Sequence, residues 1–214
     1  MVKFYGVLSY VWLNPDNIIL NNLKKGEIDG VLISSIGYSK YATYRKWIRR
    51  NKNIIPSIMI DHEAFYRNKT GKKWSYNAIK QLQIYSAYNL KNLGFKEIIV
   101  IAPDEIGEEE TSYNWGIKFI KDYEGEILFP FHGKLPADAE YVGIPKERLG
   151  TEWYKLLNNK YKLHGLGVSP KNMKMLHDYN FFSCDGTIDS DGWSNNRVED
   201  FKLSIDKQTK RTGE

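Results

Sequence analysis

The sequence predicts an α/β protein, a minimal (β/α)8 barrel forming a single domain. Three observations predict it: eight short apolar runs, a polar stretch of helical spacing after most of them, and a length of 214 residues that allots about 27 residues to each unit. The competing architecture is the doubly wound open sheet. Its usual phosphate loops are missing, because no Gly-x-Gly-x-x-Gly follows the first apolar run and no Gly-x-x-x-x-Gly-Lys-Ser/Thr occurs anywhere in the chain.

The strands are expected near Val2 to Ser9, Val31 to Ser35, Pro56 to Asp61, Glu97 to Pro103, Glu126 to His132, Tyr141 to Pro145, Lys162 to Val168 and Phe181 to Asp185. Each is a run rich in β-branched or aromatic residues that ends on a polar or turn-forming residue. Helices are expected between them: Asn17 to Lys25, Lys40 to Asn51, Ser75 to Leu93, Glu109 to Lys121, Lys146 to Leu157 and Pro170 to His177. In the second of these, Tyr44, Trp47 and Ile48 share one face, and in the third Ile79, Leu82, Tyr85, Leu90 and Leu93 do. Asp16 and Ser75 suit the N-cap position, Gly94 suits the left-handed residue that ends a helix, and Ser169-Pro170 reads as a cap followed by proline in the first turn. Residues 1–205 are expected to form the barrel, with a polar, frayed tail over 206–214.

A lone Cys184 excludes a disulfide framework and any multi-cysteine zinc site. Strand alternation points its thiol away from Asp185, as a buried and inert group. No apolar run approaches the roughly 18 residues of a membrane span, and the mean hydropathy is -0.52. The expected setting is therefore a reducing, cytoplasmic one, the host cytoplasm if the source is viral, with no membrane partner.

The net charge of +5 conceals an uneven distribution. From Tyr38 to Lys80 eleven basic residues face two acidic ones, a net of +9, whereas Ile101 to Glu126 carries a net of −6. Solvated helix faces would explain both segments. A phosphate-binding face would explain the basic one, with Arg45, Arg49, Arg50, Lys72 and Lys73 as its candidate contacts and Tyr38, Tyr41, Tyr44, Trp47, Tyr66 and Trp74 interleaved among the cations.

A barrel opens to substrate at the C-terminal ends of its strands. The third strand ends in Asp61, followed by His62 and Glu63; the fourth leads to Asp104; the fifth leads to His132-Gly133; the seventh carries His164, Gly165 and Gly167; and the eighth ends in Asp185. A carboxylate directly after an apolar run is costly unless it is paired, capping or functional. Two carboxylates facing one pocket could act on a sugar anomeric carbon, one as nucleophile and one as acid/base, with Glu63 a rival for the second role. Metal ligation by Asp61, Asp104, His132 and His164 is the other possibility. The first strand, FYGVLSY, lacks the His-x-His of many metal-dependent barrel hydrolases, so neither metal nor cofactor is expected.

The segments PSIMIDHEAF, IIVIAPDEIGEEETSYNW, FPFHG, EYVGIP, LHGLGVSP and FFSCDGTIDSDGW stand in an order and spacing that resembles the tRNA-guanine transglycosylase superfamily, especially its compact viral and bacterial members that place 7-deazaguanine bases in DNA. The resemblance implies a pentosyltransferase that exchanges guanine through a covalent intermediate. It makes Asp185 the nucleophile, Asp61 the acid/base, and Asp104 the reader of the guanine Watson-Crick edge. His132, Gly133, Gly143, His164 and Gly165 would line the base site. Asp61 is followed by His62-Glu63 where the family has Ser-Gly, and His132 stands where it often has Gln. The family's zinc-binding insertion is absent, so the resemblance favours DNA over tRNA as partner and leaves tRNA as the alternative, with a free 7-deazaguanine as small-molecule substrate. A nucleosidase or glycoside hydrolase on the same carboxylates, and a non-catalytic nucleic-acid-binding barrel, are the alternatives.

Overall fold

The structure, a computed structural model of the chain, describes residues 2–8, 18–149, 160–169, 172–179 and 181–186. Its strands are β1 (Lys3–Leu8), β2 (Gly30–Ser34), β3 (Ser57–Asp61), β4 (Glu97–Ile101), β5 (Glu126–Pro130), β6 (Tyr141–Pro145), β7 (Lys162–Leu166) and β8 (Ser183–Gly186). They close in sequence order into one barrel, with every pair parallel and β8 returning to β1 through Tyr5 opposite Asp185. The eight-stranded (β/α)8 barrel expected from the sequence is the observed fold.

The helices are α1 (Ile18–Lys25), α2 (Ser35–Lys40), α3 (Ala42–Arg50), α4 (Ala64–Lys69), α5 (Tyr76–Asn92), α6 (Glu109–Asp122) and α7 (Met173–Asp178). Ser75 caps α5 by accepting the Ala78 amide at 3.3 Å, and Gly94, at φ +97°, takes the left-handed residue beyond its end. Two helices differ from expectation. The segment expected to be one helix from Lys40 starts five residues earlier and breaks at Tyr41, whose extended backbone (φ −108°, ψ 113°) divides α2 from α3. The short α4 has no amphipathic period long enough to be read from sequence. After β6 a single 3-10 turn spans Lys146–Arg148, and the rest of the helix expected there, like Asp16, Pro170 and the tail over 206–214, lies outside the described residues.

Strand alternation sorts the apolar side chains into two layers. Tyr5, Leu32, Met59, Ile99, Ile101, Leu128 and Tyr141 fill the barrel, while a larger set that includes Phe4, Ile33, Ile60, Val100, Val142 and Cys184 packs between sheet and helices. Cys184 is therefore buried on the face opposite Asp185, and burial pushes its thiol pKa well up, as an inert group requires. At the N-terminal end Lys3 pairs with Glu97 at 2.7 Å, and the Lys3 and Lys162 ammoniums lie 5.4 and 5.5 Å from the centroid of the Phe182 ring. That end is closed by packed side chains, which leaves chemistry to the other.

Candidate active site

Asp61 is the last residue of β3 and continues the inward series Ser57, Met59, Asp61. His62 must then turn outward, and the chain reverses at Glu63, the one described non-glycine residue with positive φ (60°). The Glu63 amide donates to the Asp61 carboxylate, the local turn that aspartate favours. From Glu63 the chain enters α4, and Arg67, one turn on, points back beneath His62.

These turns assemble a buried polar cluster at the β3–β5 side of the mouth. Asp104, 6 % exposed, receives His62 Nε2 on Oδ1 and His132 Nε2 on Oδ2, each at 2.7 Å. Arg67, 2 % exposed, donates to His62 Nδ1 at 3.0 Å, to the carbonyls of His62 (3.3 Å) and Asp104 (3.1 Å), and to Glu105 Oε2 at 3.2 Å. Glu105 is fixed in turn, because its backbone N–H and C=O both bond the Ser112 hydroxyl at 3.0 Å.

Burial would raise the Asp104 pKa, but the hydrogen bonds from His132 and His62, with their charges, outweigh it and hold the carboxyl well below the ordinary range. Asp61 moves the other way. Desolvation raises it to about 6, with the nearby Asp104 charge adding to the shift and His62 and the Glu63 amide opposing it. For His62, burial disfavours the imidazolium, yet the hydrogen bond to Asp104 and the charges of Asp104 and Asp61 raise its proton affinity above the ordinary histidine value.

A second cluster occupies the β7–β8 side. Asp185 Oδ1 takes His164 Nε2 at 2.9 Å, and the Gly167 amide lies 3.2 Å from both carboxylate oxygens. Gly167 makes this approach at φ +61°, a backbone region that suits glycine. His164 Nδ1 meets Ser183 Oγ at 2.7 Å, and Ser183 contacts the Tyr141 hydroxyl in the barrel interior.

The structure thus places Asp61, Asp104, His132 and Asp185 at or just beyond the C-terminal ends of the strands, with His164 buried in the middle of β7, in two clusters rather than one. Gly143 and Gly165 lie within β6 and β7, where an added Cβ would meet Leu128 and Leu166 (2.6–3.0 Å) or Val168 and Leu176 (2.7–2.9 Å). Both glycines therefore serve close packing. Gly133, at φ +137°, has the Glu109 carboxylate packed against its Cα.

Arg49 and Arg50 are exposed on α3, while Arg45 is occupied by the Tyr38 and Ser39 carbonyls at 2.7 and 2.6 Å. Lys72 and Lys73 are exposed between α4 and α5. Of the interleaved aromatics, Tyr38 and Tyr44 are core residues and Tyr66 is exposed.

Sequence reasoning missed Arg67, Ser183 and Tyr141. Arg67 counted only as one cation of a basic stretch, and Ser183 and Tyr141 carried no signal beyond strand alternation. Among the described residues no three His, Cys, Asp or Glu side chains converge as a metal-ligand set.

No family model and no curated protein matches the chain. Solved structures do match its fold. KGPDC of Streptococcus mutans superposes with a TM-score of 0.55 at 14% identity, covering 97% of this chain and 99% of that one. A putative dihydrodipicolinate synthase family protein of Coccidioides immitis gives 0.58 at 11% identity, with 97% and 75% covered. The 3-keto-L-gulonate-6-phosphate decarboxylase of Vibrio cholerae gives 0.52 at 10%, with 97% of each covered. At these identities the shared property is the barrel.

The expected kinship with the tRNA-guanine transglycosylase superfamily is corrected by these findings, since the fold neighbours are decarboxylase and dihydrodipicolinate synthase family barrels and not transglycosylases. Guanine exchange, DNA modification and a 7-deazaguanine substrate fall with it. Geometry supplies a physical reason. Asp104 accepts an imidazole on each oxygen and is almost buried, which leaves little room for a guanine N1–H and N2–H, and Asp185 is held by His164 and the Gly167 amide. The neighbours favour neither the nucleosidase or glycoside-hydrolase alternative nor the non-catalytic one.

Proposed function

We propose that this chain is an enzyme of the lyase type, making or breaking a carbon–carbon bond beside a carbonyl group in a small oxygenated substrate by proton transfer at the barrel mouth. The observation that carries the reading is Asp61: a carboxyl at the end of β3, raised to about 6, beside an Asp104 carboxylate that holds two imidazoles. A group that titrates close to neutrality can both give and take a proton, which is the requirement for general acid–base work. The neighbours named as decarboxylases and as a dihydrodipicolinate synthase family protein agree in reaction type and support the reading by analogy of fold.

When the bond to the departing carbon breaks, its electron pair moves toward the carbonyl and leaves an enolate. The enolate oxygen needs a hydrogen-bond donor, and the carbon needs a proton. Protonated Asp61 supplies the proton and becomes the carboxylate that accepts one in the reverse direction. His132, partly exposed, spends Nε2 on Asp104, so it can serve the enolate only through Nδ1 as the imidazolium. Among the described residues no lysine is buried, so the reading uses no desolvated lysine nucleophile.

The test is nuclear magnetic resonance in deuterated water with 2-oxo acids, 3-oxo acids and sugar phosphates, following deuterium uptake beside the carbonyl and release of the cleaved fragment. Asp61→Asn should lower the rate on any active substrate by about 100-fold or more. An Asp61→Asn protein that exchanges and cleaves at the wild-type rate would remove Asp61, and the reading with it.

A further inference from the structure

We propose that Arg67 is a positioning residue: by donating into His62 Nδ1 it holds that imidazole as the Nε2–H tautomer, so that His62 presents a donor to Asp104 and Asp104 is left to orient His132.

The argument rests on what each group can do. A guanidinium has only donors and keeps its charge at any working pH, so the 3.0 Å contact between Arg67 Nη2 and His62 Nδ1 requires a bare Nδ1. The single proton of a neutral ring then sits on Nε2, 2.7 Å from Asp104 Oδ1. The Asp104 backbone N–H also points at Nε2 from 3.2 Å and would need that nitrogen bare, but a ring bare at both nitrogens would be an anion, so with Arg67 on Nδ1 the proton stays on Nε2 and goes to the carboxylate. Protonating Nδ1 would set two N–H groups against each other, so the imidazolium forms only when the Arg67 contact breaks. The charged groups that face His62 are Asp104, Asp61 and Arg67, with His132 beyond Asp104 and Glu105 beyond Arg67.

An arginine that merely tied the β3 and β4 loops together would need the two carbonyls and Glu105. The bond to Nδ1 is additional to that task, and it is the one that selects a tautomer. Its catalytic meaning rests on the acid–base reading of the mouth, whereas the tautomer is a property of the resting protein.

The experiment is long-range 1H–15N correlation on the full chain carrying 15N-histidine, at about pH 9, where free histidine is neutral. The sequence has four histidines, and a His62→Gln spectrum identifies the His62 signals by their loss. The expected wild-type pattern is a protonated Nε2 and a bare Nδ1. In Arg67→Lys and Arg67→Met the preference should relax toward a tautomer mixture or a doubly protonated ring. A protonated Nδ1 in the wild type overturns the proposal, and so does an unchanged His62 pattern in a folded Arg67 variant. Should neither variant fold, the wild-type pattern alone decides. Activity without the stated tautomer refutes the positioning role and leaves the acid–base reading standing; the stated tautomer with no lyase activity does the reverse.

Discussion

His62 Nε2 lies 2.7 Å from Asp104 Oδ1, and both side chains are almost closed to water. A carboxylate in such a place persists only if its charge is met, and the imidazoles of His62 and His132 meet it on both oxygens.

Replacing that carboxylate should therefore be strongly destabilising. Asp104→Asn removes the charge and offers one acceptor to two ring donors, and breaking such buried pairs costs about 3 kcal/mol. The pH dependence has a definite sign. The folded pKa is lowered, so the stabilisation is present above the ordinary carboxylate value near 4 and declines as pH falls below it. Urea unfolding of wild type and variant should differ by the full amount at pH 7 and converge under acid conditions. Parallel curves from pH 7 to pH 3 would show that the charge of Asp104 contributes nothing.

Asp61 should respond in the opposite sense. Its folded pKa is raised to about 6, so ionisation costs stability, and that cost appears as pH rises from about 4 to about 6. Asp61→Asn should match or exceed the wild type in stability at pH 7, by on the order of 1 kcal/mol once partial exposure is allowed for, and equal it near pH 3. The same substitution should lower lyase-type turnover by about 100-fold or more. Loss of stability at pH 7 would mean that Asp61 is a structural carboxylate.

The barrel was legible because its signal is repetitive: apolar runs such as IPSIMID and EIIVIAPD recur with helical stretches between them, and each run ends on a residue that marks the mouth. Asp61, Asp104 and Asp185 stood out for the same reason. What those carboxylates bond to was not legible. Pairing of Asp104 with His62 and His132 joins three strand ends that are distant in sequence, and it is set by barrel closure and by the left-handed turn at Glu63, neither of which leaves a local pattern. The family resemblance followed the order of the segments and missed that their polar atoms are already paired with one another.

The Glu63 turn yields a backbone prediction. At φ 60° a β-branched side chain is strongly disfavoured and glycine is at ease. Glu63→Gly should be neutral to slightly stabilising, while Glu63→Val should lose about 1–2 kcal/mol in urea unfolding. Because the turn carries Arg67 back to His62, the valine variant should also disturb the His62 resonances. Equal stability of the two variants would contradict the left-handed turn.

The interior hydrogen-bond chain yields the last prediction, and its direction follows from Asp185. The Asp185 carboxylate can only accept, so a neutral His164 carries its proton on Nε2, and the Tyr141 phenol, which burial pushes far up and keeps protonated, is free to donate to Ser183. Ser183 then uses its own proton on His164 Nδ1, and His164 Nε2–H donates to Asp185. The reverse tautomer would set a bare Nε2 against a carboxylate. Ser183→Ala leaves the phenol and Nδ1 unmatched inside the barrel, a loss of roughly 2–3 kcal/mol in unfolding free energy. It also removes the hydroxyl that meets Nδ1, which leaves Asp185 alone to hold the His164 ring. Ser183→Thr keeps the hydroxyl and should retain the Nε2–H tautomer of His164, read by the same 15N correlation. If the alanine variant is as stable as the wild type, the chain from Tyr141 to Asp185 is not what orients that histidine.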